Sequence, residues 1–289
     1  MKILMANYEM ENFFGGTQTW TVTMYKALRE LGHEVHVEAF NPKFNTNFLY
    51  MKRMVVGVKY DVLIANGNQT MHHFQEYADK IILMSHGVLP KLEQPVAGAD
   101  IILGVSEEVA ANVERQGFKC DGILRNPIDR QLYAAQSNIN GTLKTIVLLD
   151  RRRKFPFIEE LKKEYKVIEL GTPPRYDLWS ALQPADLVIA RGRGIYEAMS
   201  MQKNVIVSGN NSGRGGKTEL MDGFVTPENF LEFRKNNCSG RNQSIQVTSY
   251  EQFKVELDKY DYAAGAINHN LIAEHNDSVL IANQLLSYL

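Results

Sequence analysis

Short runs recur along the chain, most of them rich in Ile, Val and Leu without polar alternation, at 2–6, 34–40, 62–65, 81–85, 101–105 and 121–124. A second series follows at 145–149, 166–170, 187–190 and 204–208. Continuous apolar runs of this length suit parallel strands covered on both faces. Between them lie amphipathic stretches such as 17–31, 107–116 and 157–165. Strand and helix in alternation predict an α/β fold of doubly wound parallel sheets. The first series ends near Asn126, Pro127, Ile128 and Asp129, and a polar run at 134–142 precedes a fresh strand at Thr145. That places a domain boundary between 140 and 141. The last helix, about 276–289, has no sheet of its own after it.

The length agrees with two domains: 289 residues at about 150 residues each. Apolar residues are 44% and charged residues 22%, ordinary for a globular protein and unlike a disordered, collagenous or disulfide-scaffold chain. Lys plus Arg is 32 against 33 for Asp plus Glu, so no overall basic excess advertises nucleic acid or an anionic membrane. Cys120 and Cys238 fit no metal spacing and read as free thiols of a reducing cytoplasm. The first residues read as neither a signal peptide nor a membrane span, and no run reaches about 18 apolar residues.

Several segments could carry chemistry. Gly15 and Gly16 follow the first strand and open a long helix. They would let a backbone approach an anionic ligand, or simply make a tight βα turn. No G-x-G-x-x-G occurs. His33 and His36 give H-E-V-H, one residue short of the zinc spacing, so a structural role is expected. His86 follows the strand at 81–85, and carboxyl ends of α/β strands are where ligands sit. Ser106 is placed to cap the next helix, with Glu107 and Glu108 favouring its dipole. Arg151, Arg152, Arg153 and Lys154 follow the strand at 145–149, a place for cations to hold a phosphorylated ligand or to stand solvated. Residues 209–218 look like a P-loop, but the required first glycine falls on Asn211. No G-x-S-x-G elbow and no D-x-D in a suitable loop is present.

The order of these segments resembles the GT-B glycosyltransferases of the family 4 type. The first resemblance is GGTQTWTVTMYKALRELGHEVHV, a glycine pair, a helix and L-x-x-x-G-H-x-V-like entry to strand two. Next come Ser85–His86–Gly87, the strand ADIILGVS and the turn RNPID. The most specific is ADLVIARGRGIYEAMSMQKNVIV at 185–207. The resemblance implies two Rossmann-like domains facing a cleft, with acceptor bound by the first and donor by the second. It also implies that the final helix crosses back to the first domain.

For individual residues, the resemblance implies that His86 faces the donor sugar and that an Arg and a Lys among 151–154 hold its diphosphate. The turn Arg191, Gly192, Arg193 and Gly194 would meet the phosphates, and Glu197 would accept hydrogen bonds from the ribose. The family's second Glu, eight positions before Glu197, is Ile189 here. A lone Glu is more similar to the GT-B GlcNAc transferase of peptidoglycan synthesis. The implied reaction moves a sugar from a nucleoside diphosphate sugar, UDP-sugar favoured, to an acceptor hydroxyl, with retention and with no metal or cofactor. The acceptor stays open among glycan, lipid, protein and modified DNA base. A nucleotide-sugar epimerase on this fold and a non-catalytic nucleotide-sugar sensor stay open as well.

Overall fold

The computed structural model describes residues 1–10, 15–41, 44, 48, 50–135, 139–149, 155–170, 178–209 and 219–289. They divide into two compact units, Met1–Pro127 with Ser278–Leu289, and Ile128–Asp277.

Among the described residues, the first unit holds β1 (Lys2–Asn7), β2 (Glu34–Ala39), β3 (Tyr60–Asn66), β4 (Ala78–Ser85), β5 (Ile101–Gly104) and β6 (Gly122–Ile123), in sheet order β2-β1-β3-β4-β5-β6. Every pairing is parallel. The apolar runs lack alternation because both faces are covered. In β1, Ile3 and Met5 enter one apolar cluster while Leu4 and Ala6 enter the other. Ile3, Leu4 and Met5 each contribute about 1.5–3 kcal/mol by leaving water.

Helix α1 (Gly16–Glu30) buries Trp20, Met24, Ala27 and Leu28 on one face. It ends at Gly32, whose φ of +85° suits glycine. The His33 and Gly32 amides close that end on Leu28 O (3.1 Å) and Arg29 O (3.0 Å). Helices α2 (Asn68–Phe74) and α3 (Glu107–Arg115) follow β3 and β5, and Ser106 Oγ accepts from the Val109 amide as the cap of α3.

The second unit holds β7 (Thr145–Leu148), β8 (Lys166–Glu169), β9 (Leu187–Ala190) and β10 (Asn204–Val207), with helices α4 (Ile158–Glu164), α5 (Leu178–Leu182) and α6 (Arg193–Ser200) between them. Beyond these lie β11 (Glu219–Met221), β12 (Gly223–Phe224), α7 (Pro227–Lys235), β13 (Ile245–Val247), α8 (Tyr250–Leu257) and α9 (Ala264–His275). Its sheet runs β12-β10-β9-β7-β8, parallel except for the β10–β12 pair, and β11 pairs antiparallel with β13. In β9 the same two-faced burial recurs, with Val188 and Ala190 in one cluster and Leu187 and Ile189 in the other.

The division falls at Pro127–Ile128 rather than near 140, because Ile128 and Tyr133 are buried in the second unit's core. The last helix, α10 (Ser278–Leu286), belongs to the first unit. Ile281, Ala282 and Leu285 join the cluster around α1, and Gln284 Nε2 donates to Ile123 O at 2.9 Å.

Asp186, fully buried before β9, accepts from the amides of Asn140 (3.1 Å), Lys144 (2.9 Å) and Thr145 (2.8 Å), and from Asn140 Nδ2 (2.8 Å). It fixes the chain entering β7 against the start of β9. Nearby Lys203 is also fully buried and donates to Gln183 O at 3.0 Å. Burial pulls its ammonium from 10.5 down to about 8, opposed by the attraction of Asp186. Between those two values the unfolded chain binds the proton more tightly than the folded one. Stability at this site should therefore rise as pH increases from about 8 toward 10.5. Denaturant unfolding across that window should show the rise flattened in Lys203→Met. Equal pH slopes in the two proteins would contradict the assignment.

Candidate functional site

In the first unit the carboxyl ends of β1, β3 and β4 place polar side chains beside α1. The parallel register sets Asn7 opposite Asn66. Both Asn7 Nδ2 (2.6 Å) and Asn66 Nδ2 (3.0 Å) donate to Thr21 Oγ1, which itself donates to Thr17 O at 3.0 Å. His86, directly after β4, bonds Asn66 Oδ1 through Nε2 at 2.6 Å. Its ring stands edge-on to Trp20, with centroids 5.5 Å apart and planes at 80°.

The segment after His86 is tied down as well. Ser85 Oγ donates to Glu93 O at 2.7 Å, Gln94 Nε2 to Gly87 O at 3.2 Å, and Asn68 Nδ2 to Lys91 O at 2.8 Å. At the glycine pair, Gly15 caps α1 with φ −94° and its amide donates to Gln18 Oε1 at 3.1 Å. Among the described residues, a Cβ on Gly16 would meet nothing within 4 Å.

In the second unit the turn after β9 is built largely by packing. Gly192 has φ +61° and caps α6, and its amide donates to Cys238 O at 2.7 Å. A Cβ on Gly194 would come to 3.0 Å from Leu149 Cδ1, so this glycine lets α6 sit close to the end of β7. Arg191 Nη1 donates to Gly209 O at 3.1 Å and joins the ends of β9 and β10. Arg193 and Glu197, one helical turn apart, form an ion pair with Nε–Oε1 2.7 Å, and their side chains are only 9% and 3% exposed. Tyr133 lies against the pair. Burial, reinforced by the Glu197 carboxylate that accepts from its hydroxyl, pushes the phenol well above its ordinary range.

The structure therefore brings Arg191, Gly192, Arg193, Gly194 and Glu197 together, and separately Gly15, Gly16 and His86 around α1. Glu197 is buried and paired with Arg193, so its removal bears on stability. Arg151, Arg152, Arg153 and Lys154 lie outside the described residues, as does 210–218 of the glycine-rich loop. His36 is structural: it is buried, and its Nδ1 bonds the Tyr60 hydroxyl at 2.6 Å. Burial lowers its pKa.

Sequence reasoning missed Asn7, Thr21, Asn66 and Tyr133. A signal for two of them exists: KILMAN and DVLIAN both end an apolar strand in Ala–Asn. Among the described residues no group of three or more His, Cys, Asp or Glu is placed to hold a metal ion, and no helix is long and apolar enough to cross a membrane.

No family model and no curated protein matches the sequence. Solved structures do. An α-glucosyltransferase in complex with UDP and a 13-mer DNA containing an A:G mismatch has a TM-score of 0.60 and 12% identity, covering 100% of this chain and 99% of its own. A glycosyltransferase involved in avilamycin A biosynthesis has a TM-score of 0.57 and 13% identity, covering 99% and 96%. The catalytic domain of starch synthase IV from Arabidopsis thaliana, bound to ADP and acarbose, has a TM-score of 0.57 and 12% identity, covering 99% and 98%. The fold is of the GT-B type. In this GT-B chain the glycine pair follows β1 of the first Rossmann-like unit, and the Arg–Gly turn follows β9 of the second.

Proposed function

We propose that the chain is a glycosyltransferase that moves a sugar from a nucleoside diphosphate sugar, UDP-sugar favoured, to an acceptor hydroxyl, with retention and without a metal. The observation that carries this reading is positional. Gly15, His86, the four cations at 151–154 and the turn at 191–194 each follow a parallel strand, β1, β4, β7 and β9, at the end where α/β sheets bind ligands. Two neighbours of the same fold were solved with nucleoside diphosphates, UDP and ADP.

In this reading the second unit takes the donor. Arg and Lys from 151–154, with the α6 amino end, neutralise the leaving diphosphate. Glu197 lies one turn into α6, within the same turn region, for the ribose hydroxyls. The first unit takes the acceptor, with His86 toward the sugar.

A second reading, a nucleotide-sugar sensor, is favoured by Ile189 standing fully buried in β9 where a second Glu would be, and by the Arg193–Glu197 pair. Release of free nucleoside diphosphate from a donor sugar without acceptor separates the two. A transferase should release it slowly, whereas a sensor should release none. His86→Ala should lower transfer far more than nucleotide affinity. Equal loss of both, with a fall in melting temperature, would make His86 structural only.

A further inference from the structure

Three aromatic rings stand together in solvent at the ligand end of the first sheet. Tyr8 directly follows β1 and Phe40 directly follows β2. The two strands stay paired past their ends: the Phe40 amide donates to Asn7 O at 2.8 Å and the Asn41 amide to Tyr8 O at 2.9 Å. The Tyr8 and Phe40 rings lie near-parallel, with centroids 5.5 Å apart and planes at 12°. His73, on α2, meets Phe40 edge-on at 5.1 Å and 78°. Tyr8 and Phe40 are 41% and 42% exposed, and His73 is exposed as well.

Isolated surface rings need no explanation. Three in contact keep apolar surface in water at the end of a parallel sheet where ligands bind. The sheet order β2-β1-β3-β4 puts the ends of β1 and β2 in line with His86, which follows β4. Two to three strand spacings, roughly 10–15 Å, separate those backbones from the end of β4. A pyranose ring is about one strand spacing across, so a chain of about three sugars spans that line.

We propose that Tyr8 and Phe40 are a stacking platform for a neutral oligosaccharide acceptor, and that they hold a sugar further along the acceptor than the one at His86. The inference rests on the reading of the first unit as the acceptor side and names the class of acceptor. A pyranose lays a flat face of C–H groups on an aromatic ring and leaves its hydroxyls at the rim, where amides bond them. Amide side chains flank the rings in the chain. Asn41 follows Phe40, and the exposed Gln69, four residues before His73, shares its face of α2. Nucleic acid bases also stack on such rings, and charge decides between the two. The described residues that frame the platform, 7–10, 39–41 and 68–74, carry no Lys or Arg and include the carboxylate of Glu9. Lys43, outside the described residues, would add one cation, where a phosphate backbone is tracked by several.

The test is a titration watched at the rings themselves, in the full chain with 13C-labelled Phe and Tyr. The probes are maltotetraose, cellotetraose and chitotetraose, with glucose, N-acetylglucosamine and a short oligothymidylate for comparison. At least one tetrasaccharide should shift the Tyr8 and Phe40 resonances. Its own monosaccharide should bind about 10-fold or more weakly, the scale of one lost stacking contact, and oligothymidylate should leave the rings unmoved. Phe40→Ala should weaken the tetrasaccharide by a similar factor, and Phe40→Trp should keep its affinity. Melting curves confirm that each variant is folded, as expected for exposed positions.

If Phe40→Ala does not fold, Tyr8→Ala carries the same test. Rings that no tetrasaccharide shifts, or an affinity that survives both Phe40→Ala and Tyr8→Ala, overturn the proposal. Rings moved by oligothymidylate alone overturn it in favour of a nucleic acid acceptor. A monosaccharide that binds as well as its tetrasaccharide overturns the placement of the platform along a longer acceptor. The titration needs no donor, so it fails separately from the transferase reading. Rings that bind sugar in a chain whose melting temperature no nucleoside diphosphate raises would leave the sugar site standing and overturn the donor reading. The reverse would overturn this proposal alone.

Discussion

Glu197→Ala is expected to destabilise the chain by about 3–5 kcal/mol, the scale for removing one partner of a buried ion pair. The Arg193 guanidinium, 9% exposed, would lose the carboxylate 2.7 Å from its Nε. The Tyr133 hydroxyl would lose its acceptor in a buried place. Combining Glu197→Leu with Arg193→Met should recover most of the loss, because no charge is then left buried alone. Denaturant unfolding of the two single variants and the double variant gives the cycle. Additive losses would show that the two side chains do not act as a pair. A Glu197→Ala protein that keeps its melting temperature and loses only nucleotide affinity would place the carboxylate toward ligand, away from Arg193.

The second large effect concerns the cations after β7. Single alanine substitutions of Arg151, Arg152, Arg153 and Lys154 should split into two classes. One diphosphate needs only one or two cation contacts, bidentate from Arg or a point charge from Lys, so four adjacent cations are not expected to contribute equally. One or two substitutions should lower turnover by about 10²-fold or more, the scale of a lost transition-state charge contact. The others should be nearly silent, as surface charges are. The measurement is turnover at saturating donor for each variant. A uniform small effect across all four would mean a diffuse field, and the diphosphate would then be held elsewhere, with Arg191 the next residue to test.

Much of the frame was legible because burial on both faces writes itself into the strands as unbroken apolar runs. β1, β3 and β9 are plain examples, with successive residues alternating between two clusters. β11, β12 and β13 were not legible, since two or three residues are too short for a period to show. The domain break was misplaced for a related reason. Polar residues at 134–142 look like a linker, yet Ile128 and Tyr133 before them are held in the second core by contacts far along the chain.

Site residues divide similarly. The Arg–Gly turn before Glu197 was visible because glycine and charge interrupt an apolar strand. Its internal pairing was available from the four-residue spacing of Arg193 and Glu197, but the spacing does not show burial. Tyr133 had no local signal, because its contact with Glu197 exists only after folding. Asn7, Thr21 and Asn66 look like ordinary strand-end and helix residues until the parallel register sets the two asparagines side by side.

The central claim is that the folded chain binds a nucleoside diphosphate donor. Thermal unfolding in the presence of UDP, ADP, GDP and their sugar conjugates tests it most directly, because a ligand of the folded state alone must stabilise it. At about 100 times its dissociation constant, a bound nucleotide should add about 2.7 kcal/mol. The account predicts a clear rise in melting temperature with at least one nucleoside diphosphate and its sugar, largest for the uridine pair, and none with the free nucleoside. An unchanged melting temperature with every nucleoside diphosphate and nucleotide sugar at millimolar concentration would contradict it.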